Sequence, residues 1–251
     1  MDSERRSRRL FDGIFADGFA LMRERWMVYG AMMVACGISA ATVYQHASLL
    51  KTFATGDLGS VVRSQPLNIV LMSALVAIFF VLPSALRKLD TKFRMTTARA
   101  IMTVAMIVCV GVATDLGYAA AFIPGIVIGV LMSQALINAL LRTGEGATMS
   151  GAFATIYDSM RGSVTQTRSH FATTFGVLAA SLAILGIPFF FGLCAMLVLD
   201  VIVPRSLILT APLLFAQFIY CECVRYALIV RWYRRLDAEQ KHPILSMVRA
   251  A

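Results

Sequence analysis

Six apolar stretches, each long enough to cross a membrane as a helix, dominate the chain. They lie at about 26–44, 67–86, 100–118, 123–141, 174–199 and 206–230. About 20 residues of α-helix cross the hydrocarbon core of a bilayer, and each stretch has roughly that length. The stretches mix Ala, Val, Ile, Leu, Met and Phe without alternation, which favours helices over a β-barrel. The sequence therefore predicts an all-α integral membrane protein, with a single six-helix membrane domain over residues 1–251.

The Lys and Arg residues fall almost entirely on one side of this predicted membrane. Of 23 in total, all but Lys51, Arg63 and Arg205 lie in the N-terminal segment, the second and fourth connections, or the C-terminal end. Because cytoplasmic connections carry the excess of Lys and Arg, both termini are predicted to be cytoplasmic. The basic residues flank spans instead of forming one continuous patch, so we expect membrane lipids of the anionic cytoplasmic leaflet, and no nucleic acid, as partners.

Two segments outside the predicted spans have one apolar helical face, near residues 8–25 and 149–162. In the first, the apolar residues at helical spacing are Leu10, Phe11, Ile14, Phe15, Phe19 and Met22. In the second they are Phe153, Ile156, Tyr157 and Met160, and Gly162 marks the predicted end. Both patterns predict amphipathic helices lying in the cytoplasmic interface. A solvated lead-in to the membrane is the alternative for the first segment.

A proline and two glycines at the start of the fourth span predict a helix-packing or hinge element. Pro124 suits the first turn of a helix, where its missing N–H would have no intrahelical partner. Gly125 and Gly129 form a G-x-x-x-G pattern, which lets another helix approach closely.

Few polar residues lie within the spans, and these are the candidate site residues. Gln134 and Asn138 are four apart, so on one helix they share a face. They could bind a polar ligand or form hydrogen bonds between helices. Glu222 and Arg225 are three apart and can pair on one helix face, with a proton or substrate role as the alternative. These four residues are predicted to form a substrate or lipid path.

No constellation of catalytic or metal-binding residues is visible in the sequence. The three histidines, His46, His170 and His242, all lie in loops or tails. The chain has no H-E-x-x-H, no G-x-S-x-G and no P-loop. We therefore expect no metal, no cofactor and no enzymatic activity.

Three parts of the chain carry a family resemblance. The first is Phe11–Trp26 and the last is Tyr226–Arg235. The middle part is Phe122–Ile126, followed by Gly151–Phe153, Ser159 and Gly162. Together they resemble the membrane-domain family that is attached to some glycerophosphodiester phosphodiesterases and also occurs as stand-alone bacterial proteins. The family usually has an acidic residue before the small-residue segment of this loop. The chain departs from that pattern, because only Glu145 is available for this position. The resemblance implies a bacterial six-helix membrane module involved in lipid handling or envelope homeostasis. Since no catalytic barrel is present, the phosphodiesterase activity does not carry over.

Three functions are compatible with these patterns. The leading hypothesis is a non-enzymatic protein of the bacterial inner membrane that acts as a lipid-interacting or scaffold module, either as a homo-oligomer or as a subunit of a larger membrane complex. The alternative is a small transporter or channel with a path near Gln134 and Asn138. The third is an enzyme that acts on lipids through His170, Glu145 and Asp158, whose spacing fits no known metal pattern.

Overall fold

The computed structural model describes residues 10–46, 77–143 and 149–241, and every regular element in these ranges is helical. The helices are α1 (Ile14–Glu24), α2 (Trp26–His46), a π-helical turn (Ala77–Val81), α3 (Leu82–Leu86), α4 (Thr97–Ala120), α5 (Phe122–Met132), α6 (Ala135–Arg142), α7 (Met149–Arg168), α8 (Phe171–Ile202) and α9 (Leu207–Lys241). The prediction of an all-helical fold is thus confirmed for the described part of the chain.

Four helical segments have the length and composition of membrane spans. They are Thr97–Ala120, Phe122–Arg142, Phe171–Ile202 and Leu207–Ala238. α2 coincides with the first predicted stretch, and its segment Trp26–Ile38 is a shorter apolar helix. Positions 67–76 of the second predicted stretch, 67–86, lie outside the described residues. The chain is therefore a multi-helix protein with membrane-like spans, while the count of six stays a prediction.

The fourth predicted stretch, 123–141, is not one continuous helix. It is divided at Ser133 and Gln134 into α5 and α6. Apolar composition favours helix throughout this stretch, so the sequence pattern contains no signal for the interruption. The break is supported by hydrogen bonds from α7, which is distant in sequence.

Two helices continue beyond their predicted ends. α7 runs to Arg168, so the prediction that Gly162 ends this helix was wrong. A Cβ atom at Gly162 would lie 3.1 Å from Nη2 of Arg142, which indicates that the glycine serves close packing inside the helix. α9 runs to Lys241, past the predicted end near 230, because Trp232, Tyr233 and Leu236 form a buried stripe that stabilises the extra turns.

The chain divides into two compact units, each with its own packed residues. Unit 1 holds the described residues up to Ala85 together with Ser181–Leu228, and unit 2 holds Leu86–Ala180 together with the described residues from Ile229 onward. α8 and α9 thus contribute residues to both units. The interpretation of residues 1–251 as a single domain stays a prediction.

In unit 1, α1 and α2 each pack against the part of α9 that belongs to this unit. A Cβ atom on Gly18 of α1 would overlap Val224, and one on Gly37 of α2 would lie 3.2 Å from Cγ of Pro212. The thiol of Cys36 lies 3.7 Å from the carbonyl oxygen of Ala211. Small residues therefore let the helices approach closely, as is common between helices in membranes.

In unit 2, α4 and α5 form a tight helical hairpin. Pro124 lies in the first turn of α5. A Cβ atom on Gly125 would overlap the ring of Tyr118, and one on Gly117 would lie 2.9 Å from Cα of Gly125. At Gly129 the nearest atom to such a Cβ is 3.7 Å away, which is ordinary contact. The close approach therefore pairs Gly125 with Gly117, and Gly129 takes little part in it.

One apolar core cluster of unit 2 is formed by α4 and α6. Its buried members are Met102, Met106, Ala135 and Ala139. Ile156 and Met160 of α7 pack against this core, which leaves the remaining faces of α7 for polar contacts and for the surface. This arrangement positions the polar groups of α7 beside the break between α5 and α6.

Candidate functional site

At the break between α5 and α6, hydroxyl groups of α7 form hydrogen bonds with backbone groups of the interrupted helix. The Ser163 hydroxyl donates to the carbonyl oxygen of Leu131 at 2.6 Å and accepts from the backbone N–H of Gln134 at 3.1 Å. The Thr167 hydroxyl lies 3.2 Å from the same carbonyl oxygen. Because the last carbonyl groups of a helix lack intrahelical partners, these hydroxyls stabilise an interrupted helix inside an apolar segment.

Asn138 is the centre of a buried polar cluster. Its side-chain Nδ2 donates to Oε1 of Gln166 at 2.9 Å, and its Oδ1 accepts from the hydroxyl of Tyr233 at 3.0 Å. The residue is only 2% exposed, and both partners are buried as well. The cluster therefore joins α6, α7 and α9 within unit 2 through one side chain.

Gln134 is fully buried, at 0% exposure, but differs from Asn138 in its bonding. Within the described part of the chain, neither its Oε1 nor its Nε2 has a hydrogen-bond partner. The hydroxyl of the neighbouring Ser133 is likewise buried without a partner among those residues. A buried amide with unmet hydrogen bonds destabilises a fold by about 1–3 kcal/mol, so this residue is the unusual member of the site.

The four predicted path residues fall into two groups. Gln134 and Asn138 belong to unit 2. Gln134 lies in the turn before α6, and Asn138 lies within α6. Glu222 and Arg225 belong to unit 1 and form an ion pair with a distance of 2.7 Å between Oε2 and Nη2. The Glu222 side chain is 4% exposed and the Arg225 side chain is 22% exposed. The Arg225 guanidinium also lies over the ring of Tyr226, 4.7 Å from its centroid.

Several residues of the polar cluster were missed from the sequence. Ser163, Gln166 and Thr167 lie in a segment that reads as a polar stretch leading into the next span, and Tyr233 lies past the predicted end of the last span. A signal for them exists: Ser159, Ser163 and Gln166 recur at helical spacing, so they mark one face of a helix. That this face is buried against α5 and α6 is not visible in the pattern.

The chemistry that this cluster offers is hydrogen bonding by uncharged groups. Its members are hydroxyls and carboxamides, which donate and accept hydrogen bonds, and backbone carbonyls, which accept them, and none carries a formal charge. Within the described ranges, no group of three His, Cys, Asp or Glu side chains could hold a metal ion. The cluster is therefore suited to binding a polar group or to joining helices.

A second feature is the surface of α1, which has three distinct faces. Ile14, Gly18 and Leu21 are buried. Phe15 and Phe19 occupy an adjoining face and are each 60% exposed. Asp17, Arg23 and Glu24 lie mostly away from both faces. The helix therefore presents a packed side, an apolar exposed side and a charged side.

α7 also carries an exposed aromatic pair beside its packed face. Phe153 is 80% exposed and Tyr157 is 65% exposed, and they are one helical turn apart. Asp158 is exposed on another part of the same helix, and Arg161 is exposed one turn after Tyr157. The apolar face expected for this segment is thus divided, since Ile156 and Met160 pack on the unit 2 core while the two aromatic rings remain exposed.

Comparison with known proteins assigns no family to the chain. No protein-family model, no curated protein and no solved structure matches it. The resemblance to the phosphodiesterase-associated membrane domains therefore stays a prediction from the three segments quoted above.

Proposed function

We propose that the chain is a non-enzymatic protein of the bacterial inner membrane that acts as a lipid-interacting or scaffold module, with six spans and both termini in the cytoplasm. The observation that carries this proposal is the three-faced surface of α1. A helix at a membrane interface needs an apolar side toward the acyl chains and a charged side toward water. α1 has both, and it has a third side that packs on its own unit.

The contacts of α1 explain why it would lie at a fixed orientation. Gly18 packs against Val224, and the backbone carbonyl of Phe15 lies 3.4 Å from the hydroxyl of Tyr220. Both partners belong to α9, one of the membrane-like spans. Transfer of the exposed Phe15 and Phe19 rings into lipid would stabilise this position by about 1–2 kcal/mol each.

The charge distribution supports the cytoplasmic leaflet as the site of contact. Arg23 lies on the charged side of α1, and Arg161 lies one helical turn after Tyr157 of the exposed pair of α7. A basic residue near an anionic leaflet is worth about 1 kcal/mol. Aromatic rings beside basic residues are typical of segments that bind such a surface.

The experiment that tests this proposal places a single tryptophan on each face of α1. The chain has two tryptophans, Trp26 and Trp232, which are replaced by Phe. In that background, Phe15→Trp reports on the apolar face and Arg23→Trp is the matched variant on the charged face. The full chain is reconstituted in vesicles of phosphatidylethanolamine and phosphatidylglycerol that contain lipids brominated near the headgroup.

We expect fluorescence from position 15 to be quenched by the brominated lipid, and fluorescence from position 23 to be quenched by aqueous acrylamide. Equal quenching of both positions by acrylamide would contradict the interfacial position of α1. A second reconstitution in phosphatidylcholine alone tests the charge contribution. Bromolipid quenching at position 15 should decrease there, and an unchanged value would exclude a contribution of anionic lipid.

The topology of six spans is tested separately with reporter fusions. A fluorescent protein fused after residue 251 should fluoresce, because this end is proposed to be cytoplasmic. Alkaline phosphatase fused after Ala120, between α4 and α5, should be active because this turn is proposed to face the periplasm. An inactive phosphatase at this position would contradict the proposed orientation.

A small transporter or channel is the second candidate, and the Asn138 cluster favours it. A path for a polar solute needs polar groups from more than one helix, and this cluster joins α6, α7 and α9. Its uncharged groups suit a neutral solute. Proteoliposomes should then swell faster in acetamide or glycerol than protein-free vesicles, and Asn138→Leu should abolish the difference. Equal swelling of all three preparations would exclude this candidate.

A further inference from the structure

We propose that Gln134 binds a small neutral ligand that presents a hydrogen-bond acceptor and a hydrogen-bond donor side by side, a carboxamide being the simplest case. The site lies at the break between α5 and α6, and Ser133 belongs to it. This proposal is independent of the lipid role of α1, and it requires binding without requiring that the ligand crosses the membrane.

The first observation is the contrast between two buried amides of the same segment. Asn138 uses its donor toward Gln166 and its acceptor toward Tyr233. Gln134 is at least as deeply buried, yet its Nε2 and Oε1 have no partner among the described residues. Nearly all buried polar side chains in proteins are hydrogen-bonded, so an amide with two unmet groups requires an explanation. We assign Asn138 to the structure and Gln134 to the ligand.

The second observation is that the backbone at the break is satisfied although these side chains are not. The N–H of Gln134 donates to Ser163, and the carbonyl of Gln134 accepts from the N–H of Asn138 at 2.9 Å. The N–H of Ser133 donates to the carbonyl of Val130 at 3.2 Å. The Gln134 amide is therefore not needed to hold the interrupted helix.

The chemistry of the amide indicates the class of the ligand. A primary carboxamide has an N–H donor and a carbonyl acceptor in one plane, so it pairs with a second carboxamide through two parallel hydrogen bonds. The Ser133 hydroxyl, also buried without a partner among the described residues, adds a third group that can donate or accept. A ligand with only a donor or only an acceptor would leave one atom of Gln134 unmet.

The surroundings favour a neutral ligand over a charged one. The hydrogen-bonding groups that flank Gln134 are the hydroxyls of Ser163 and Thr167 and backbone carbonyls, none of which carries a formal charge. The cation of α6, Arg142, is exposed and donates to the backbone carbonyl of Asp158 at 3.2 Å. Burial of a carboxylate or an ammonium group without an opposite charge is much more costly than burial of an amide.

The test compares the same substitution at two glutamines. Gln217 in unit 1 donates from Nε2 to the carbonyl of Pro188 at 2.8 Å, so its amide is engaged. The full chain and its Gln134→Leu and Gln217→Leu variants are purified in detergent. Their melting temperatures are measured without additive, with acetamide as the probe, and with sodium acetate as the charged control at the same concentration and ionic strength.

Without additive, Gln134→Leu should melt at or above the wild-type temperature, because it removes an unmet buried amide. Gln217→Leu should melt below it, because it removes a hydrogen bond. Acetamide at about ten times its dissociation constant should raise the wild-type melting temperature by about 3 °C and that of Gln217→Leu by the same amount. The Gln134→Leu variant should not respond, and acetate should change none of the three.

Two results would overturn the proposal. If acetamide leaves the wild type unchanged while Gln134→Leu melts higher, the amide is an unsatisfied structural group and binds no such ligand. If Gln134→Leu melts lower and acetamide has no effect, the amide is satisfied within the protein or by water. Neither result depends on the quenching experiment with α1, so failure here and failure of the lipid-interacting function are distinguishable.

Discussion

Replacement of Asn138 by Leu should lower the stability of unit 2, because it removes the hydrogen bonds of the buried polar cluster around Asn138. The substitution keeps most of the side-chain volume but removes the hydrogen bonds to Gln166 and Tyr233. Each such bond contributes about 0.5–1.5 kcal/mol in proteins, and interhelical bonds in membranes average near the lower end of that range. The variant also leaves the buried Tyr233 hydroxyl without this partner. We expect a total loss of about 2 kcal/mol, which lowers the melting temperature by about 4–8 °C for a chain of this size.

A double-mutant cycle tests whether this loss comes from the cluster itself. Tyr233→Phe alone removes one hydrogen bond and should lower the melting temperature by about 2–4 °C. In the Asn138→Leu background the same change should cost less, because the hydrogen bond to Asn138 is already gone and only the contact with Gln166 remains. Tyr157→Phe is the matched control, since this tyrosine is exposed. If Tyr233→Phe lowers the melting temperature equally in both backgrounds, the reasoning from the cluster is refuted.

Two further predictions concern glycine packing and the ion pair, both read from melting temperatures in detergent. Gly125→Ala should destabilise the α4–α5 hairpin by about 1–3 kcal/mol, because the new methyl group overlaps Tyr118. Gly129→Ala should be neutral or slightly stabilising. Equal effects of the two substitutions would contradict the packing described. Arg225→Met should cost about 3 kcal/mol because it leaves the buried Glu222 carboxylate without its cation, and the additional change Glu222→Leu should recover most of that loss. Failure of the second change to restore stability would show that the pair contributes little to the fold.

The helices of this protein could be predicted closely because their signal is local. α2, α4 and α8 each contain one of the predicted apolar stretches, since a run of about 20 apolar residues has few structures open to it besides a helix. The predicted helices near 8–25 and 149–162 follow from a period of 3.6 residues, which is also a property of neighbouring residues. Even there local periodicity does not set the helix ends, as the extension of α7 past Gly162 shows.

The candidate site could be predicted only in part. Gln134 and Asn138 stand out because polar residues are rare in an apolar stretch, and the sequence places them on one face of a continuous helix. Their different bonding depends on α7 and α9, since Gln166 and Tyr233 come from segments 28 and 95 residues away. No local pattern encodes which amide meets a partner when distant helices pack.

The amino-acid sequence thus determines the class of this protein, because the free energy of placing apolar side chains and backbone groups in a membrane depends on composition and local periodicity. It also determines the asymmetry of basic residues that underlies the proposed orientation. Tertiary packing determines the break at Ser133 and Gln134, the pairing of Gly125 with Gly117, and the satisfied amide of Asn138 beside the unmet amide of Gln134. The break and the bonding of the two amides arise from contacts with segments farther along the chain, and the glycine pairing arises between two consecutive helices. All of these contacts exist only once the helices have come together.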